Sequence, residues 1–350
     1  MTKPGSGCDR IGSISDGSDA GLWAVGDLGV WAICALLAFG GCATAPAPGA
    51  APAAAPSPIS SEQENQIGAQ IKAELEQKQR IPYVTDPAVL SYLRGIANKL
   101  IAIGRTDHPD INWQVNVIDD PQTVNAFATA GGYLYIYSGL LAAADDEAEL
   151  AAVIAHEIGH VTARHPVRSL IAAYSPEAVI ALANGQNPGL LTQLGTSIGT
   201  SGLTRAHARA DETEADERGA RYASSAGYDP HALMDFFTSL QKKAGNASVT
   251  VAFLSDHPPS PERSSHLEKF VADNHLRGSA RGTAALLPVK QRIVAQAAGP
   301  SGAEAVQALI AAPAPPPPPP SVGIRPASAR TPAAGAAAKT RLRTAPAPRR

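Results

Sequence analysis

Apolar residues recur along this chain at two periods, and each change of period marks an element. Ile67, Ile71 and Leu75 lie four apart and define one helical face, with Ser61 and Glu64 placed as a capping box at its start. Val89, Leu90, Leu93, Ile96, Leu100 and Ile101 repeat that stripe across residues 87–103. Over residues 112–118 and 132–137 the period falls to two, which predicts two strands, with Asp119-Asp120-Pro121 opening the connection. The helical period returns over residues 148–161 through Leu150, Val153, Ile154, Ile158 and Val161. Asp146 and Glu149 form its capping signal and Pro166 its stop. Residues 168–202 are apolar but interrupted by Gly185, Gly189, Gly195, Gly199 and Gly202, the pattern of broken helices over a cleft. A polar helix follows near residue 212. Asp229-Pro230 opens another, with Leu233, Phe236, Phe237 and Leu240 inward, and Ser260-Pro261 opens a last one. The fold class is therefore α+β: predominantly helical, with a small β-sheet beside the helix 148–161. No internal repeat is evident.

Composition confines this fold to the middle of the chain. Residues 42–59 are almost entirely Ala, Pro, Gly and Ser, a tether. Residues 313–350 are rich in Pro and Ala, include six consecutive prolines, and carry seven basic residues and no acid. Such a segment builds no core. Residues 60–280 form the single folded domain, and residues 281–312 are partly helical. The three cysteines, Cys8, Cys34 and Cys42, all precede that domain. Residues 28–39 are an apolar run of signal-segment length, and small residues lead directly into Cys42. Residues 1–41 thus read as a lipoprotein-type signal, and Cys42 as a lipidated N-terminus. That reading places the protein in the periplasm of a Gram-negative bacterium, anchored to the outer membrane. An ordinary signal peptide or an uncleaved anchor is the competing reading. Nothing in the charge pattern points to nucleic acid, and the oligomeric state is left open.

The chemistry centres on His156-Glu157-Ile158-Gly159-His160. On a helix, residues four apart share a face at about 5–6 Å. Two imidazoles so placed converge on one zinc ion, while the adjacent Glu157 is free to take a proton from water. Catalytic zinc usually has three protein ligands, so another must come from elsewhere. Glu212 and Asp216, four apart, offer a ligand and a partner for a ligand histidine's outer N–H. Spacing alone leaves open that Asp211, Glu212, Glu214, Asp216 and Glu217 are a solvated acidic face.

Five blocks carry a family resemblance: NAFATAGGYLYIYSGLL (125–141), EAELAAVIAHEIGHV (147–161), ETEAD (212–216), AGYDP (226–230) and HPPSPER (257–263). In this order they resemble the zinc metallopeptidase family (gluzincins) that includes the CAAX prenyl protease, HtpX and the periplasmic BepA-like enzymes, over roughly residues 60–275. Ala130 departs from the Pro usual before the glycine pair. The resemblance implies a zinc endopeptidase with one Zn²⁺ per chain, Glu212 as third ligand and Glu157 as general base. It also implies polypeptide substrates, taken to be unfolded or misassembled envelope proteins. His257 and Arg263 are the candidates for stabilising the oxyanion, His257 alternatively for blocking the open zinc position, and a simple turn is the plain reading of His257-Pro258. A non-proteolytic chaperone or binding factor for outer-membrane protein assembly is the alternative function. Finally, the alternating run Tyr133, Leu134, Tyr135, Ile136, Tyr137 is expected to be an edge strand that docks extended substrate, tyrosines toward the cleft and aliphatics toward the core, with an ordinary internal strand paired on both edges as the competing reading.

Overall fold

The computed structural model describes residues 57–201, 207–244 and 250–296, together with 307 and 310. The segment read as a signal (with Cys42), most of the Ala/Pro-rich stretch and the basic tail lie outside the described residues. Helix α1 (Ser61–Glu74) starts one residue earlier than expected: Ser60 is the N-cap and Gln63 closes the capping box. A π-helical turn (Leu75–Gln79) ends it. Helix α2 (Pro87–Gly104) is capped by Asp86, whose carboxylate accepts from Ala88 and Val89 N–H. Strands β1 (Gln114–Ile118), β2 (Ala126–Thr129) and β3 (Tyr133–Tyr137) lead into α3 (Ser138–Ala143) and α4 (Glu147–Thr162). Then come α5 (His165–Tyr174), α6 (Pro176–Ala183), α7 (Pro188–Ser201), α8 (Arg209–Ser225), α9 (Ala232–Ala244), α10 (Phe253–Asp256), α11 (Pro261–Asp273) and α12 (Thr283–Gln296). The last helix contributes Leu286, Val289 and Ile293 to the main core, so the fold runs past residue 280. Among the described residues no helix is long and apolar enough to cross a membrane.

The sheet corrects one expectation. Its order is β1-β3-β2, so Tyr133–Tyr137 is the central strand, parallel to β1 and antiparallel to β2. It cannot be the docking edge, because both of its edges are already paired. The strand that displaces it, β2, is four residues of Ala, Phe, Ala and Thr, too short and too small in side chain to show alternation. Gly131 and Gly132, both at positive φ, turn the chain from β2 into β3. A Cβ on Gly132 would fall 2.3 Å from the Ile111 side chain.

Alternation along β3 does sort its side chains. Leu134 and Ile136 join the main core with α2, α4 and α9. Tyr133, Tyr135 and Tyr137 do not border an open cleft but fill a second core with Ile67, Ile71, Val167 and Leu194. Phe127 of β2 stacks on Tyr135 with ring centroids 4.7 Å apart. On this side α1 packs against β3 and α5 against β2, with α6 and α7 packed on α1. The breaks between α5, α6 and α7 fall at Ser175 and Gly185, both at positive φ, rather than at each glycine.

Helix α4 lies between the sheet and α8 and is buried all round, from Ala148 to Thr162. Asp146 accepts from Glu149 N–H as an N-cap should. In return Glu149 Oε2 accepts from Asp145 N–H rather than from Asp146 N–H. Large aliphatic side chains such as Leu150, Val153 and Ile158 each contribute about 1.5–3 kcal/mol by burial. That packing gives the helix a fixed position from which to present polar groups.

Candidate metal centre

His156 and His160 project from one face of α4 toward α8. The two helices approach closely because glycine stands at both crossing points. A Cβ on Gly159 would lie 2.9 Å from the Ala215 carbonyl, and one on Gly219 would lie 3.0 Å from His156 N. This proximity carries Glu212 and Asp216, one turn apart on α8, to the two imidazoles. A third imidazole, His257, follows α10. Phe253 N–H bonds the Val124 carbonyl at 3.1 Å, and Asn125 Nδ2 donates to Asp256 at 3.0 Å, which ties α10 to the start of β2.

The donor atoms of His156, His160, Glu212 and His257 all lie within 4.8 Å of one another. His156 Nε2 is 3.0 Å from His160 Nε2 and 3.2 Å from His257 Nδ1. Glu212 Oε1 is 3.1 Å from His257 Nδ1 and 3.4 Å from His160 Nε2. Donors arranged tetrahedrally at about 2.0–2.1 Å from a zinc ion stand roughly 3.3 Å apart, so the spacing matches. The chemistry of the set matches as well. Burial holds His156 and His160 below the usual histidine range, so both rings are neutral. The outer Nδ1 of His156 lies 3.0 Å from Asp216 Oδ1, which favours a proton there. Its Nε2 then turns a lone pair toward the Nε2 of His160, a contact that an N–H of His160 satisfies in the metal-free protein and that a shared cation would satisfy in its place.

The carboxylates are held in their charged form. Burial pushes Glu212 upward, but bonds from His160 and His257 hold it well below the usual carboxylate range. Burial likewise opposes ionisation of Asp216, and the bonds to His156 and Arg263 outweigh it. Arg263 does not face the open side of the site as an oxyanion group would. Its Nε and one terminal nitrogen clamp Asp216 at 2.9 and 2.8 Å, and its other terminal nitrogen reaches Glu212 at 2.9 Å and the Pro258 carbonyl at 2.9 Å. The guanidinium orders the ligand sphere and spends its donors doing so.

Glu157 stands beside the cluster, outside the donor set. Its Oε1 is 3.3 Å from His257 Nε2, and the backbone of Ala128 on β2 lies beside it and favours its charged form. Burial pushes it up to about 8, against the pull of His257. A bound cation would draw that value back down.

Two histidines with no assigned role in the sequence reading also belong here. His165 is fully buried, its Nδ1 2.8 Å from His160 Nδ1. His207, half-buried, lies over His160 with ring centroids 4.1 Å apart, and burial lowers it to about 4. Periodicity did not reach His165 because Arg164, at φ 63°, breaks the helix and resets the register. His231 and His266 pair with Asp229 and Glu217 on the surface, away from this cluster.

Next to the site, Ile71, Ala130, Leu170, Leu194, Ile198 and His207 line a cavity of about 170 Å³. It lies well under the roughly 300–1,000 Å³ of sites for drug-sized ligands, and it suits one side chain.

The model of Peptidase family M48 matches residues 87–271. Among curated proteins, the chain is 31% identical to the mitochondrial metalloendopeptidase OMA1 of Schizosaccharomyces pombe, over 53% of this chain and 54% of that protein. It is 34% identical to a putative beta-barrel assembly-enhancing protease of Vibrio cholerae, over 52% of this chain and 39% of that one. For the beta-barrel assembly-enhancing protease of Escherichia coli K12 the identity is 29%, over 58% and 42%. The chain spans about half or less of the length of these relatives.

Proposed function

This chain belongs to Peptidase family M48, and from that membership we propose that it is a zinc-dependent endopeptidase acting on extended, unfolded polypeptide, with one Zn²⁺ per chain and Glu157 as general base. The observation that carries the reading is the position of Glu157, buried against the four-donor cluster but outside it. Zinc, when bound, supplies Lewis acidity, lowering the pKa of water from 15.7 toward about 7 and polarising a carbonyl. His156, His160 and Glu212 would hold the ion, and Asp216 would orient His156. Glu157 takes the proton of the attacking water and returns it to the leaving amine.

The docking edge is reassigned to β2. Among the described residues it is paired on one side only, by β3. On its other side Ala126 N–H meets Asn125 Oδ1 at 2.9 Å and Ala128 lies beside Glu157, so a docking peptide would displace the Asn125 contact. An extended peptide added there would run past the general base. One of its side chains would enter the adjacent apolar cavity. The test is digestion of casein by purified protein, with zinc counted per chain. About one zinc per chain is expected, with cleavage abolished by a chelator and restored by Zn²⁺. Zinc-loaded protein with an emptied fourth position that still cuts no unfolded protein would refute the reading.

His257 is that fourth position. Its Nδ1 lies among the donors rather than beside them, where it would compete with water for a bound ion. We read the resting site as self-blocked. Replacing His257 with Ala is expected to raise basal cleavage, including self-cleavage, with zinc retained. A fall in activity with zinc retained would assign His257 to the oxyanion instead.

The physiological setting we propose is the bacterial cell envelope, with misassembled envelope proteins as substrates and a lipid anchor at Cys42. Two things support it: the signal-like pattern before Cys42 and relatives named as beta-barrel assembly-enhancing proteases. Partition of wild type, but not Cys42→Ala, with membranes would bear it out.

A further inference from the structure

We propose that His165 is a positioning residue for the metal: backed by Glu214, it fixes the proton and the ring orientation of the ligand His160. The inference rests on the zinc reading above. If His160 gives Nε2 to the metal, its Nδ1 must carry the remaining proton, and that proton needs an acceptor. The atom facing it is Nδ1 of His165, at 2.8 Å. Two N–H groups cannot point at each other at that distance, so His165 presents a lone pair and carries its own proton on Nε2. Nε2 faces two carboxylates, Glu214 Oε2 at 3.3 Å and Asp211 Oδ1 at 3.5 Å. Both are anchored: Arg218 donates twice to Glu214 Oε1, at 3.1 and 2.8 Å, and Arg168 donates to Asp211 at 2.6 Å. Every proton in the chain from Glu214 through His165 to His160 is thereby placed.

The two ligand histidines are thus supported differently by one helix. His156 meets the Asp216 carboxylate directly, because Asp216 shares a face of α8 with Glu212. Glu214 lies two residues from each, about 200° round the helix, and its carboxylate is turned away from the metal. The imidazole of His165 bridges the gap. The left-handed residue Arg164 is what brings it there, by ending α4 and starting α5 within two residues.

The experiment uses full-length, zinc-loaded protein. Nitrogen-15 NMR of labelled histidines reads the tautomers directly: His160 is expected as Nδ1–H and His165 as Nε2–H. An Nδ1–H or doubly protonated His165 would overturn the proposal. Zinc affinity from chelator competition supplies a second readout. His165→Leu should bind zinc roughly 10–100-fold more weakly. His165→Asn, whose amide oxygen can accept at the Nδ1 position, should recover most of that loss. Equal affinity for wild type and His165→Leu, or equal weakening by Leu and Asn, would refute the relay while leaving the zinc reading intact. Failure of wild type to hold zinc would sink the reading beneath it. Should His165→Leu not fold, the tautomer measurement on wild type decides alone.

Discussion

Replacing Glu157 with Gln is expected to leave zinc at one per chain and to reduce cleavage of unfolded protein by roughly two orders of magnitude or more, the usual scale for losing a general base. The substitution is nearly isosteric, and Glu157 is not among the four converging donors. What disappears is the group that takes the proton. The same change has a sign on stability. In the metal-free protein burial raises Glu157 from about 4.5 to about 8. A carboxyl raised on folding stabilises less as pH climbs, because the folded state must surrender its proton late. The wild-type protein therefore carries a penalty that grows between about pH 4.5 and 8, and the amide does not. Metal-free Glu157→Gln should melt no lower than wild type at pH 8. Undiminished turnover by the zinc-loaded variant would eliminate the mechanism, and with it the distinction from a chaperone that merely binds polypeptide.

Helix α4 was legible because several signals coincide there: an apolar stripe, Asp146 as cap and two histidines one turn apart. Glu212 and Asp216 were legible only as a pair, since α8 reads as a solvated acidic face. In fact its acids have different fates. Glu212 and Asp216 are buried against Arg263 and the histidines, whereas Glu217 meets His266 at the surface. Partners more than forty residues away decide this, and local patterns do not contain them. The mistaken edge strand has the same origin. The alternation in β3 gave the right faces, but pairing depends on β2, whose four small residues carry no periodic signal. His165 was missed because it lies across the helix break at Arg164 from His160, and His207 because three helices separate it in the chain from the ring it covers. Arg263 was placed near the site by resemblance, and only the fold shows that its donors go to carboxylates.

Glu212→Gln should empty the site. A neutral amide is a poor ligand for zinc, and it also removes the negative charge that offsets the ion among neutral imidazoles. The variant is expected to retain little or no zinc after gel filtration, while Glu214→Gln keeps it with weakened affinity. Two stability effects should add. Arg263 loses one of its two carboxylate partners in a buried setting, at a cost of about 1.5–3 kcal/mol for a hydrogen bond to a charged group. The zinc contribution to folding, which grows with occupancy, also vanishes. Arg263 retains its double bond to Asp216 and its bond to the Pro258 carbonyl, so the protein should still fold. Zinc per chain, counted together with a melting curve with and without added Zn²⁺, separates the two effects: wild type shifts with the metal, and Glu212→Gln does not. If Glu212→Gln instead kept a full zinc ion, the permanent ligands would be His156, His160 and His257. His257 would then be a structural donor and not a gate, and removing it would release the metal instead of opening the site.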